Sequence, residues 1–144
     1  METDIHPILL VEDNPMDVDL TRRAFGKQKI PNPILVARDG EAAISYLEKW
    51  ADGELIPRII LLDLKLPRIE GLEVLRRFKT HPIYSQIPVI ILTSSSDSGD
   101  ISKAYKLGAN SYIIKPVDFE KFLEVADLLH LYWCKMNIQS GLSI

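Results

Sequence analysis

The chain has 144 residues, of which 47% are hydrophobic and 26% charged, and its net charge is −3. This length and apolar content suit one domain with one buried core, and the lack of excess positive charge argues against nucleic acid and anionic lipid as partners. A single cysteine, Cys134, excludes an internal disulfide and the apolar runs are far shorter than the about 20 residues of a membrane span, so we expect a cytoplasmic protein with no membrane association.

The first part of the chain predicts strands and helices in alternation. An apolar strand at 7–11 precedes a helix at 15–27, which has Pro15 in its first turn. A second apolar strand at 33–37 precedes a helix at 40–50, in which apolar residues recur at helical spacing. Each strand is followed by a helix, which is the order typical of parallel sheets.

The same alternation continues through the rest of the chain. Strands are predicted at 58–63, 88–93 and 111–114, and helices at 70–79, at 100–108 and from 118 to about 134. Strict alternation with short connections predicts an α/β fold with a doubly wound, five-stranded parallel sheet and helices on both faces. Among the common strand orders of such sheets we expect the flavodoxin-like order 2-1-3-4-5. Periodicity is lost near the end, so we expect one domain over residues 1–137 and a loose tail over 138–144.

Polar residues follow four of the five predicted strands. Glu12 and Asp13 end the first strand, Asp63 the third, Thr93 the fourth and Lys115 the fifth. Because parallel strands end at one edge, where open α/β sheets bind ligands, these side chains are expected to meet. Each has a structural alternative when taken alone: the acids as helix caps, the threonine in an ST-turn, the lysine as a surface residue. Their occurrence together favours a functional site.

Three carboxylates at one edge predict a site for a hard divalent cation. They repel one another unless a cation binds or some are protonated, and oxygen ligands of this kind suit Mg²⁺. Such an ion keeps open positions that a phosphoryl oxygen can take. Next to it, the Thr93 hydroxyl would hydrogen-bond a phosphoryl oxygen, the Lys115 ammonium would add positive charge, and Asp63 is positioned to become an acyl phosphate.

Four motifs resemble the receiver domain of two-component response regulators: LVEDN, LLDLKLPRIEG, VIILTSSS and SYIIKP. The resemblance extends over residues 6–134. It implies that Asp63 accepts a phosphoryl group from a sensor histidine kinase and that Thr93 and Lys115 contact that group. It also implies that the protein is not an enzyme, apart from catalysing its own phosphorylation and dephosphorylation.

The resemblance further implies a metal site and a switch. Mg²⁺ would be held by four groups: Glu12, Asp13, Asp63 and the backbone carbonyl of Lys65. A lysine here departs from the small or amide residues that often occupy this position. Tyr112, three residues before Lys115, corresponds to the aromatic switch residue that acts together with Thr93. The peptide bond before Pro116 is typically cis in the family.

A narrower resemblance is to the stand-alone regulators that serve bacterial phytochromes, often called the Rcp type. It is carried by the opening EDNPMDVDLTRRAF, the long segment YLEKWADGELIPR, the segment KTHPIYSQIPVIILTSSS, and a final helix that runs into LLHLYWCK. It implies that the partner kinase is a phytochrome. Output would then arise from changed protein–protein contacts, because the receiver and a short tail account for all 144 residues.

Three alternatives share part of this pattern. A haloacid-dehalogenase-like phosphatase also uses a strand-terminal aspartate and Mg²⁺, but it needs a second aspartate where this chain has Lys65. A nucleotide- or flavin-binding protein shares the fold, yet LLVEDNP lacks the glycines that bring backbone amides close to a phosphate. A receiver-like module that binds partners without phosphorylation is disfavoured, because every residue of the acceptor site is present.

The predicted last helix carries two apolar sets. One stripe is expected to face the core: Phe119, Phe122, Leu123, Ala126 and Leu129. A second set lies outside that stripe: Val125, Leu128, Leu131 and Tyr132, with Trp133 close to it. We expect the second set to form the interface of a two-fold homodimer, through the face made by the fourth predicted helix, the fifth strand and the last helix.

Overall fold

A five-stranded parallel sheet forms the centre of the computed structural model, which describes residues 5–140. The strands are β1 (Ile8–Val11), β2 (Ile34–Ala37), β3 (Ile59–Leu62), β4 (Val89–Thr93) and β5 (Ser111–Ile114). Their order is β2-β1-β3-β4-β5, which confirms the predicted flavodoxin-like sheet. β1 and β3 consist entirely of buried apolar residues because helices cover both faces of the sheet.

Six α-helices flank the sheet within residues 5–140. They are α1 (Pro15–Lys27), α2 (Gly40–Ile44), α3 (Tyr46–Ala51), α4 (Gly71–Lys79), α5 (Ser98–Lys106) and α6 (Phe119–Leu129). Four begin at a side chain that accepts a backbone N–H of the first turn: Asn14, Asp39, Asp97 and Asp118. In this part of the chain no helix combines the length and the apolarity that crossing a membrane would require.

The helix predicted at 40–50 is divided at Ser45 into α2 and α3. The Ser45 hydroxyl donates to the Ala42 carbonyl oxygen at 2.6 Å, while the Ser45 N–H donates to the Glu41 carbonyl oxygen at 3.0 Å. A serine hydroxyl that bonds to a carbonyl of the preceding turn competes with the regular helical hydrogen bonds. The prediction of one continuous helix is therefore wrong.

The last predicted helix changes geometry after α6. It continues as a π-helical segment over His130–Met136, and the Asn137 N–H then donates to the Tyr132 carbonyl oxygen, five residues earlier, at 2.6 Å. Arg58 supports the wider turn, because its Nε donates to the Trp133 carbonyl oxygen at 3.2 Å and its Nη2 to the Asn137 carbonyl oxygen at 3.5 Å. The prediction of one uniform helix to about residue 134 is wrong for this reason.

An apolar layer covers each face of the sheet. Successive strand residues point to opposite faces, so Leu9 and Ile8 of β1 belong to different layers. α2, α3, α4 and α5 cover the first face, and α1 and α6 cover the second. The predicted core-facing stripe of α6 is confirmed, since its five residues are buried in the second layer or pack against it: Phe119, Phe122, Leu123, Ala126 and Leu129.

The second apolar set of the last helix is divided between surface and core. Leu128, Leu131 and Tyr132 are 62%, 47% and 49% exposed, as predicted. Val125 and Trp133 are partly buried and pack against the second layer. Both also line a groove of about 330 Å³ between α6 and the edge strand β5. The prediction that Val125 lies outside the core-facing surface is therefore wrong.

Residues 139 and 140, the last that the structure describes, lie against the N-terminal edge of the sheet. The Gln139 amide donates to the Arg58 carbonyl oxygen at 3.5 Å, and the Ser140 hydroxyl donates to the Gln86 side chain. The domain boundary at 137 stays a prediction, and residues 141–144 of the predicted tail lie outside the described residues.

Candidate functional site

Backbone hydrogen bonds position the polar residues at the carboxyl edge of the sheet. The Asp63 N–H donates to the Val11 carbonyl oxygen at 3.0 Å, and the Lys115 N–H donates to the Thr93 carbonyl oxygen at 2.8 Å. Glu12 is bonded to β2 in the same way. Each residue thus continues the hydrogen-bond ladder of the sheet beyond the end of its own strand. The bond to the neighbouring strand therefore fixes the backbone position from which its side chain extends.

Three carboxylates meet at this edge, as predicted. Oxygen atoms of Glu12, Asp13 and Asp63 all lie within 4.8 Å of one another. Glu12 is 2% exposed and Asp63 is 6% exposed, whereas Asp13 is open to solvent. The cluster offers hard oxygen ligands with one exposed side, and this donor set fits Mg²⁺, which keeps some of its water when it binds.

Lys115 inserts its ammonium group among the acids. Its Nζ lies 2.7 Å from Glu12 Oε1, 2.8 Å from Asp17 Oδ2 and 3.0 Å from Asp63 Oδ2, and its side chain is only 13% exposed. The Asp17 contact is missing from the sequence prediction. Its signal in the sequence is an acid in the first turn of a helix that starts directly after the acidic end of β1.

Burial and ion pairing act in opposite directions on these groups. Burial raises the pKa of Glu12 to about 7, against the lowering effect of its hydrogen bond to Lys115. Burial alone would lower the pKa of Lys115, but hydrogen bonds to Asp17 and Glu12 raise it above its ordinary value. Lys115 is therefore a firmly held cation, and Glu12 is an acid that is costly to ionise without a further positive charge.

Thr93 and Tyr112 lie on the neighbouring strands. Thr93 is fully buried, and its Oγ1 has no hydrogen-bond partner among residues 5–140. Buried hydroxyls nearly always have a partner, so this one fits a site that binds an oxygen-rich ligand. The Tyr112 hydroxyl donates to the Ser95 carbonyl oxygen at 2.9 Å, which ties the ring to the loop that follows Thr93.

The loop after β3 begins at Asp63 and Lys65. The Lys65 N–H donates to Asp63 Oδ1 at 3.3 Å, and the Lys65 side chain is exposed. The role of the Lys65 carbonyl as a metal ligand stays a prediction. No peptide bond within residues 5–140 is cis, so the cis bond before Pro116 that the resemblance implies is absent from this structure.

Close packing holds this loop between two helices. A Cβ added at Gly71, the first residue of α4, would lie 2.5 Å from the Asp63 carbonyl oxygen, and one added at Gly40 of α2 would collide with the Ile69 backbone. Arg68 adopts a φ of 70° in the same loop. It pairs with two carboxylates at the start of α2: Asp39 at 3.5 Å and Glu41 at 3.1 Å.

Comparison with known proteins identifies the family. Residues 8–127 match the response regulator receiver domain. The probable methanogenesis regulatory protein FilR2 of Methanothrix harundinacea is 40% identical over 135 residues, which cover 93% of this chain and 87% of FilR2. Response regulator Rcp1 of Synechocystis sp. is 34% identical over 128 residues, which cover 88% of this chain and 87% of Rcp1.

Solved structures of phytochrome response regulators share the whole fold. The phosphorylated cyanobacterial phytochrome response regulator RcpA superimposes with a TM-score of 0.87 at 32% identity, covering 96% of this chain and 100% of RcpA. The Mn²⁺-bound form of Rcp1 gives a TM-score of 0.84 at 30% identity, covering 94% of this chain and 99% of Rcp1. By sequence, fold and site, this chain belongs to the response regulator receiver domain family and is similar to the phytochrome response regulators within it.

Proposed function

We propose that the chain is a single-domain response regulator that accepts a phosphoryl group on Asp63 from a sensor histidine kinase. The observation that carries this proposal is the surrounding of Asp63: a nearly buried carboxylate with Lys115 at 3.0 Å and two further acids converging within 4.8 Å. In the reaction, an Asp63 oxygen bonds to phosphorus as the bond from phosphorus to the donor's leaving group breaks.

The residues of the site would divide the work of this transfer. Glu12, Asp13, Asp63 and the Lys65 carbonyl would hold Mg²⁺, which when bound supplies positive charge beside the phosphoryl group. The ammonium of Lys115 and the hydroxyl of Thr93, which has no partner within residues 5–140, would each bond to a phosphoryl oxygen. The protein would catalyse only its own phosphorylation and dephosphorylation.

Signalling would follow from a switch between Thr93 and Tyr112. When Thr93 moves toward the phosphoryl group, it would vacate space that the Tyr112 ring can enter. The hydrogen bond from the Tyr112 hydroxyl to the Ser95 carbonyl oxygen would change with this movement. This rearrangement would alter the surface of β5 and α5. The output would be a change in protein–protein contacts in the cytoplasm, with no role for nucleic acid or membrane.

The similarity to RcpA and Rcp1 supports a phytochrome-class histidine kinase as the partner, although FilR2 carries the name of a different pathway. The exposed apolar residues Leu128, Leu131 and Tyr132 support a homodimer through α5, β5 and α6. A second copy of the chain would cover these side chains, of which Leu128 and Tyr132 line the groove between α6 and β5.

The phosphoryl acceptor is tested with a small-molecule donor. The chain is incubated with acetyl phosphate and Mg²⁺, and its intact mass is measured with and without a chelator. We expect the added mass of one phosphoryl group that hydroxylamine removes, as it does from an acyl phosphate. This mass should be lost in Asp63→Asn and retained in Asp19→Asn, which changes an exposed aspartate of α1. Unchanged mass in the wild type would contradict the proposal and favour a module that binds without phosphorylation.

A further inference from the structure

Asp17 joins the site through Lys115 and stands apart from the acids that converge on one point. Its Oδ2 lies 2.8 Å from Lys115 Nζ, and its side chain is 32% exposed. The three carboxylates with converging oxygens are Glu12, Asp13 and Asp63. Asp17 is thus a partner of the lysine and lies outside the group that fits a metal ion.

The Lys115 ammonium has as many acidic partners as it has hydrogens. An ammonium group carries three hydrogens, and Glu12, Asp17 and Asp63 each have an oxygen within 3.0 Å of its nitrogen. A phosphoryl oxygen on Asp63 needs one of these hydrogens. The phosphoryl group can take over the hydrogen that now bonds to Asp63, but a carboxylate that keeps its own contact limits how far the ammonium can move toward the phosphoryl oxygens.

We propose that Asp17 is a positioning residue that holds the Lys115 ammonium toward α1 and thereby weakens the binding of a phosphoryl group at Asp63. The inference rests on the proposed function. Glu12 and Asp63 would share their negative charge with Mg²⁺, whereas Asp17 directs its charge at the lysine and also repels an anionic phosphodonor. Removing the charge of Asp17 frees one ammonium hydrogen and reduces the repulsion, and both effects favour the phosphoryl group.

Binding of a phosphoryl mimic tests the proposal without any covalent step. Calorimetric titration of the full chain with beryllofluoride in the presence of Mg²⁺ gives the dissociation constant of the mimic. Asp17→Asn removes the charge at nearly constant size, and Asp19→Asn is the matched control, because Asp19 loses the same charge on the same helix but pairs with Arg23 at 3.7 Å. We expect Asp17→Asn to bind roughly three- to tenfold more tightly, the range for loss of a partly buried ion pair, and Asp19→Asn to stay within about twofold of wild type.

Phosphorylation kinetics separate a positioning role from a general structural one. With acetyl phosphate as donor, we expect the half-saturating concentration of Asp17→Asn to fall while its maximal rate changes by less than about twofold. Asp17→Glu restores the carboxylate and should return the half-saturating concentration toward the wild-type value. Asp17→Ser is measured alongside, so that poor folding of a single variant, seen as a lowered melting temperature, does not decide the result.

Two outcomes overturn the inference while leaving the proposed function intact. One is equal beryllofluoride affinity in Asp17→Asn, Asp17→Ser and Asp19→Asn, and the other is weaker binding by the Asp17 variants than by the control. A wild-type chain that neither binds beryllofluoride with Mg²⁺ nor takes a phosphoryl group from acetyl phosphate overturns the proposed function, and this inference with it.

Discussion

At the scale of single residues, Asp63 is surrounded by more negative charge than Lys115 neutralises. Glu12 and Asp13 converge with Asp63, Asp17 adds a further negative charge beside Lys115, and burial makes Glu12 costly to ionise. We expect Asp63→Asn to raise the free energy of unfolding by about 1 kcal/mol in chelator, because the loss of repulsion exceeds the loss of the Lys115 contact. Millimolar Mg²⁺ should narrow the difference by stabilising the wild type.

Thermal unfolding with and without Mg²⁺ measures this balance. Asp19→Asn again serves as the control for a simple change of net charge, since its carboxylate is 68% exposed. Equal melting temperatures of wild type and Asp63→Asn in chelator would show that the carboxylates do not strain the fold.

Lys79 gives the folded chain a pH dependence away from the site. Its Nζ donates to the Ser85 and Ile87 carbonyl oxygens at 3.0 and 2.9 Å, and burial lowers its pKa from an ordinary 10.5 to about 8. Between these values the unfolded chain binds more protons than the folded chain, so the free energy of unfolding rises with pH. Below pH 8 both states are protonated and the full cost of burying the charge remains.

Comparison with Lys79→Met isolates this contribution. We expect the stability of the wild type relative to Lys79→Met to increase by on the order of 1 kcal/mol between pH 7.5 and 9.5, a value reduced for partial solvent screening. Urea unfolding at a series of pH values gives the difference, and Lys106→Met provides an exposed lysine for comparison. A difference that stays constant over this range would mean that the ammonium is not desolvated.

At the scale of elements, the residue that terminates α1, Lys29, has a left-handed backbone conformation that suits glycine better than lysine. Lys29 has a φ of 56°, and the Ile30 N–H donates to the Phe25 carbonyl oxygen at 3.1 Å, the pattern of a Schellman motif. A left-handed residue with a Cβ is strained. We expect Lys29→Gly to raise the free energy of unfolding by about 0.5–1 kcal/mol in urea unfolding.

A second substitution, inside α1 itself, provides a control with the opposite expected effect on stability. Lys27→Gly, in the last turn of α1, should lower the free energy of unfolding by about 0.5–1 kcal/mol because glycine is unfavourable inside a helix. If both substitutions destabilise the chain, the strain at Lys29 is relieved by contacts of its side chain.

The sequence predicts the elements well wherever periodicity alone decides them. The apolar runs of β1 and β3 and the alternation with helices predict a buried parallel sheet and leave few strand orders open, of which the flavodoxin-like order is the one found. Two features could not be predicted because each depends on a specific hydrogen bond. The break between α2 and α3 depends on the bond from the Ser45 hydroxyl, and the π-helical turn depends on the bond from the Arg58 guanidinium. Val125 escapes because its burial depends on how far α6 extends over an edge strand.

The residues of the candidate site also fall into those that the sequence predicts and one that it does not. Glu12, Asp63 and Lys115 could be predicted as site residues because they follow strands, and the backbone hydrogen bonds of the sheet bring the ends of parallel strands to one edge. Asp17 is on a helix, and its place in the first turn after β1 indicates only that it lies near the acids. Its contact with Lys115 depends on how α1 packs and on the reach of a lysine from β5, which periodicity does not predict.

At the scale of the whole molecule, the exposed apolar side chains of the last helix predict self-association. Leu128 is 62% exposed and lies next to the groove between α6 and β5. We expect the wild type to dimerise and Leu128→Asp to remain monomeric, because a charge buried at a two-fold interface meets its own copy or apolar neighbours. Ile83→Asp is the matched control, since Ile83 is 47% exposed but lies outside the last helix.

Sedimentation equilibrium with and without beryllofluoride measures both the dimer and its dependence on the phosphoryl site. A wild type that stays monomeric at concentrations on the order of tens of micromolar in both conditions would remove the homodimer from this account. Equal weakening by Ile83→Asp and Leu128→Asp would place the contact elsewhere.

The tight packing of the loop after β3 implies that motion at the site spreads in two directions. Gly71 holds α4 against the Asp63 carbonyl, Gly40 holds α2 against Ile69, and Arg68 pairs with the start of α2. At these two glycines the loop packs directly against the backbone of α2 and α4, so a shift of the loop at either point would displace the helix that it contacts. A movement of Asp63 during its reaction would then reach α2 and α4 as well as α5 and the edge strand β5, so that two partners on different surfaces would sense the same chemical event.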